Sequence, residues 1–150
     1  VSFDSCDGVD SDCNNYIDDG VDTIEPNNSA APYYLGDLNA SGDSVSISTY
    51  MTYASDEDAF SLFLYDNTDI LPPDQDDFTC EIVPPAGMDI EVELLFEGTS
   101  LGTINQNGVG GTETFTYDAT WLTDDEGTYT FVISSSDTSC SPITVSCEKL

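Results

Sequence analysis

Thirty acidic residues share this chain of 150 with a single base, Lys149, and no histidine, so a formal charge of −29 finds almost no answer within the molecule. Like charge at that density opposes a compact state unless ions from outside neutralise it. Carboxylates must therefore be spread over the solvent-facing surface or gathered around cations. Bulk salt is one such source of screening, as in halophilic proteins, and a specifically bound divalent ion is the other. The same imbalance excludes nucleic acid and anionic membrane surfaces as partners, because binding phosphates takes Lys and Arg to displace counterions.

Five cysteines, with no His and no Cys-x-x-Cys pair, argue against zinc and for disulfides made in an oxidising compartment, so the chain is expected outside the cell or on its surface. No apolar run approaches the roughly 18 residues of a membrane-spanning helix. The first residues, Val1-Ser2-Phe3-Asp4, carry no basic and apolar leader, and any leader is expected to have been removed. Without imidazole, Ser-His and Cys-His nucleophiles are excluded. No spacing singles out a pair of carboxylates for glycoside hydrolysis, and the chain is expected not to be an enzyme. Two Asn-x-Ser matches, at Asn27 and Asn39, are what chance gives in so Asn- and Ser-rich a sequence.

From Val45 onward the dominant pattern is period-two alternation, the mark of strands with one buried face. Its sets are Val45, Ile47, Thr49; Phe60, Leu62, Leu64; Phe78, Cys80, Ile82; Ile90, Val92, Leu94, Phe96; Phe115, Tyr117, Ala119, Trp121; Tyr129, Phe131, Ile133; and Ile143, Val145, Cys147. Turn chemistry separates them, including Pro72-Pro73-Asp74, Pro84-Pro85-Ala86-Gly87, Asn107-Gly108 and Asp125-Glu126-Gly127. Seven strands at this spacing, with no helical stripe, predict an all-β fold: an antiparallel, jelly-roll-like β-sandwich over residues 23–150. Trp121 and the tyrosines at alternate positions are read as core rather than as a platform for sugar or peptide.

Residues 1–22 are too poor in apolar side chains to build a core and are read as a calcium-binding loop segment. Aligned on a calcium loop, Asp10, Asp12 and Asn14 fall on positions 1, 3 and 5, the Tyr16 carbonyl on 7, and Asp18 on 9, with Asp7 just ahead of them. Asn15 replaces the usual glycine and Val21 the bidentate glutamate, so this is not an ordinary EF-hand. Asp19, Asp22 or a group from elsewhere in the fold would close the shell.

Strand geometry constrains the cysteines. Cys140 and Cys147 flank one short strand, about 23 Å apart if extended, well beyond bridging distance. Cys80 and Cys147 both lie on apolar faces and are the expected pair. Cys6 with Cys13 would close the acidic loop, leaving Cys140 as a spare thiol able to cross-link to a neighbour.

Two stretches resemble known families. Cys6-Asp7-Gly8-Val9-Asp10-Ser11-Asp12-Cys13-Asn14 is similar to a short metal-binding motif of secreted proteins from deltaproteobacteria and myxobacteria. Most of residues 23–150 resembles the bacterial pre-peptidase C-terminal domain, a sandwich appended to secreted proteases and also found as a collagen-binding module. Glu25-Pro26-Asn27, Asp56-Glu57-Asp58-Ala59-Phe60 and Glu126-Gly127-Thr128-Tyr129 carry that likeness. The resemblance implies a second Ca2+ site formed by Glu25, Asn27, Asp56 and Asp58, with Asn28 standing where the family often has Asp. Two functions follow as expectations. One is an adhesion or accessory module binding a matrix protein, a glycan or a cell-surface component. The other is a subunit that assembles into a filament or surface layer by strand exchange.

Overall fold

The computed structural model describes residues 22–52, 56–65, 77–118 and 126–150. Alternating burial produces the strands that line the interior. β4 (Phe78–Val83) buries Phe78, Cys80 and Ile82 and turns Glu81 and Val83 outward. β9 (Ile143–Lys149) buries Ile143, Val145, Cys147 and Lys149. β3 (Glu57–Leu64) and β8 (Gly127–Ser134) are mostly buried on both faces, as central strands are. The remainder are β1 (Tyr33–Leu38), β2 (Ser44–Thr49), β5 (Glu91–Phe96), β6 (Thr99–Ile104) and β7 (Glu113–Tyr117).

Two sheets result, ordered β1-β3-β8-β5-β6 and β2-β9-β4-β7. All pairings are antiparallel except that of β1 with β3. With β1 set aside, the eight other strands form sheets ordered 2-9-4-7 and 3-8-5-6, the interlocked Greek keys of a jelly roll. Between them Phe78 is the hub of an aromatic core, with ring centroids 4.8 Å from Tyr129, 5.7 Å from Phe115 and 5.8 Å from Tyr117.

The described residues form nine strands where alternation anticipates seven. β1 escapes the pattern because its register against β3 shifts between Tyr34 and Gly36, which breaks the period. Gly36 has φ +136°, and an added Cβ would stand 3.3 Å from Val45 Cγ1, so any other residue there is both strained and crowded. β6 is an edge strand that buries only Ile104 and so carries no apolar repeat. β7 ends at Tyr117, and Trp121 lies outside the described residues.

Cys80 and Cys147 face each other across β4 and β9 and are bonded, as expected, joining positions 67 residues apart. Cys140 corrects the expectation of a spare thiol: it too is disulfide-bonded, to a partner outside the described residues. The loop after β8 explains why, because Ser139 N–H donates to Met51 O at 2.8 Å and so brings Cys140 to the end of the sandwich that residue 22 enters. Cys6 and Cys13 fall outside the described residues, and with Cys80 and Cys147 bonded to each other the bond at Cys140 rules out the expected Cys6–Cys13 pair.

Lys149 is buried, and its Nζ donates to the carbonyls of Tyr65 at 2.6 Å and Asn39 at 3.1 Å, tying the chain after β3 to the β1–β2 turn. At the opposite edge, buried Glu113 accepts from the backbone N–H groups of Gln106 at 2.8 Å and Asn107 at 2.9 Å, holding the loop between β6 and β7. Glu113→Ala strands both donors, and with hydrogen bonds to a carboxylate worth about 1.5–3 kcal/mol each it is expected to cost about 3 kcal/mol in urea denaturation. A cost below about 0.5 kcal/mol would show that water replaces the carboxylate.

Candidate metal centre

The N-terminal ends of β3 and of the chain leading to β1 meet at one end of the sandwich. The backbone fixes the meeting: Ala59 N–H donates to Asn27 O, and Ser29 N–H donates to Glu57 Oε1 at 2.8 Å. Asn28 closes its own turn by accepting from Ala30 N–H, so its side chain is occupied locally. At the junction one carboxylate oxygen from each of Glu25, Asp56 and Asp58 lies within 4.8 Å of the other two. Asp56 and Asp58 are buried, and Glu25 forms the open rim.

Asp22 joins them from beneath. Its Oδ1 accepts from Ile24 N–H at 3.0 Å, and its Oδ2 accepts from Tyr50 N–H at 3.0 Å and from the Thr49 hydroxyl at 2.7 Å. Thr49 Oγ1 is also 2.9 Å from Asp58 Oδ2. One hydroxyl proton therefore stands between two buried carboxylates and can serve only one of them at a time.

Among the described residues, neither the Oδ1 nor the Nδ2 of fully buried Asn27 makes a hydrogen bond, nor does Asp58 Oδ1. Unpaired polar atoms at such depth cost free energy that a bound ligand recovers. Burial pushes the Asp58 carboxyl up to about 7, with the Thr49 hydroxyl pulling the other way and Asp56 and Asp22 adding repulsion. Burial likewise raises Glu25, against the hydrogen bond from Asn27 N–H. Lys149 cannot relieve this charge. It sits at the far end of β3, about 20 Å away along the strand and beyond a screening length of about 8 Å.

The structure thus brings together four residues taken from the sequence as one set, Glu25, Asn27, Asp56 and Asp58. Asp22, read there with the N-terminal loop, stands beside them. Asp7, Asp10, Asp12, Asn14, Tyr16 and Asp18 lie outside the described residues. Thr49 was missed, although it left a signal: a hydroxyl in line with Val45 and Ile47 on the apolar face of β2 needs a partner.

No protein-family model and no curated protein matches the sequence. Solved structures do resemble the fold. The pre-peptidase C-terminal domain of a Bacillus anthracis collagenase is 13% identical, with a TM-score of 0.49, over 77% of this chain and 91% of that one. Aeromonas hydrophila PliG, a periplasmic inhibitor of g-type lysozyme, is 9% identical with a TM-score of 0.40, over 77% of this chain and 96% of its own. A CBM36 carbohydrate-binding module in complex with calcium and xylotriose is 17% identical with a TM-score of 0.27, covering 74% and 76%. Likeness at this level concerns the arrangement of strands and is silent on what this chain binds.

Proposed function

We propose that the protein is a non-catalytic, calcium-binding β-sandwich module that works outside the cell, attaching to a matrix protein, a glycan or another surface component. The observation that carries the calcium reading is the unpartnered Asn27 amide and Asp58 oxygen, buried among three further carboxylates with no base in reach. Glu25, Asp56, Asp58 and the Asn27 amide oxygen would hold the ion, and Asp22 would orient the Thr49 hydroxyl behind them. A flexible set of oxygen donors suits calcium, which takes six to eight oxygens, better than magnesium, which prefers to keep its waters. Bound there, calcium would neutralise the repulsion between the leading segment and β3 and lock one to the other. Asp7, Asp10, Asp12, Asn14, Tyr16 and Asp18 would hold a further calcium ion in residues 1–22, a segment distinct from the sandwich.

Metal content by mass spectrometry under native conditions tests both sites. Asp56→Asn with Glu25→Gln is expected to remove one calcium and weaken calcium binding at least tenfold. Asp10→Ala with Asp12→Ala is expected to remove another and expose the N-terminal segment to protease. Unchanged stoichiometry in either variant would falsify the corresponding assignment. Size-exclusion chromatography with and without calcium separates the monomeric module from a polymerising subunit.

A further inference from the structure

One corner of the outer face of the five-stranded sheet gathers exposed aromatic rings, away from Glu57, Glu91 and Glu93 toward the other end of that face. Where β1 runs beside β3, outward positions carry Tyr34, Phe63 and, just past the strand, Tyr65; Tyr34 is 53% and Tyr65 38% exposed. Phe63 and Tyr65 pack edge to face with centroids 4.8 Å apart. Asp37 stands opposite Phe63 in the register and accepts the hydroxyl hydrogen of Tyr34. On the neighbouring strand Thr128 lies opposite Phe63, and Thr130 lies opposite Ser61. Rings and hydroxyls thus share one surface, with Asp37 beside the rings and Glu97 accepting from Thr128 N–H at its margin.

We infer that this face is a second binding site, distinct from the metal centre, for a neutral polysaccharide whose sugar rings stack on Tyr34, Phe63 and Tyr65. The choice of occupant rests on charge and shape. An anionic glycan is repelled by a chain of charge −29. A basic peptide would be better matched by the end of this face that carries Glu57, Glu91 and Glu93, whereas the aromatic positions have Ser61, Thr128 and Thr130 as their neighbours across β3 and β8. Pyranose rings present C–H groups to aromatic faces and hydroxyls to their surroundings, which fits exposed rings beside hydroxyls and one fixed carboxylate. Hydrogen bonding to Asp37 pushes the Tyr34 phenol up to about 12, so the phenol keeps its proton into alkaline solution. The inference deepens the reading of the protein as a binding module but is independent of calcium at the metal centre.

Affinity electrophoresis in gels containing hydroxyethylcellulose, soluble xylan or galactomannan tests it, with polylysine and alginate as charged comparisons. Retardation by at least one neutral polymer is expected and should persist in 1 M NaCl, where a screening length of about 3 Å suppresses charge attraction but leaves stacking intact. Tyr34→Ala and Tyr65→Ala should each weaken it at least tenfold. Tyr33→Ala should leave it intact, because Tyr33 pairs with core-facing Phe60 and lies on the other side of β1. The proposal is overturned if no neutral polymer retards the wild type, if both variants bind as well as it does, or if only polylysine binds. Calcium stoichiometry of the variants reads the metal centre separately.

Discussion

Stripped of metal, the protein is expected to lose stability as the pH rises from about 4 to about 7, and calcium is expected to abolish that loss. The sign follows from Asp58, whose carboxyl is raised from 3.8 to about 7 in the folded state. Below pH 3.8 both states carry the proton and no penalty exists. Between the two values the unfolded chain releases the proton while the fold retains it, so stability falls with each increment of pH until the folded group also ionises. A displacement of this size corresponds to roughly 4 kcal/mol at pH 8. Calcium at the proposed site would compete with that proton, so its affinity should rise through the same interval. Saturating ion, about a thousandfold above its dissociation constant, adds about 4 kcal/mol. Asp58→Asn should flatten both responses: less pH dependence without metal, and little thermal shift with it. Melting temperatures from pH 4 to 8.5, with calcium or chelator, give the comparison. Parallel curves for wild type and variant would remove Asp58 from the site.

The second large effect belongs to the Cys80–Cys147 bond. It closes a loop of 67 residues and thereby restricts the unfolded chain, an effect worth about 4 kcal/mol for a loop of this length. Both cysteines are buried in paired strands, so Cys80→Ala with Cys147→Ala leaves small cavities in addition. Domains are commonly stable by about 5–15 kcal/mol, so the double variant should melt roughly 10–15 °C lower. A midpoint unchanged within 2 °C would mean that the β4–β9 pairing already persists in the unfolded chain.

Strands with one face in the core announced themselves because burial imposes a period of two: Phe78, Cys80 and Ile82 alternate since the interior lies on one side of β4. The same reasoning found the Cys80–Cys147 pair, as both residues belong to apolar faces. Strands on the rim gave no such signal. β6 buries one residue in six, and β1 changes register at Gly36, so neither shows a period. Glu25, Asn27, Asp56 and Asp58 were grouped through a family likeness, and contact order explains why spacing alone would not group them: about 30 residues separate the two halves of the cluster. The position of Cys140 depended on where a loop returns, which no local pattern records.

The parallel pairing of β1 with β3 has a mechanical consequence. It places residue 22 beside Thr49 at one pole of the sandwich, whereas Leu150 lies at the other, its N–H bound to Asp77 O. A pull between these points runs along the strands, and the interstrand hydrogen bonds, perpendicular in the antiparallel pairs and slanted between β1 and β3, lie across it. Such bonds resist together in shear instead of opening one by one, and the carboxylate cluster sits where the load enters. For a molecule tethered through its chain, an ion at that pole would act as a rivet on the strand that bears the strain.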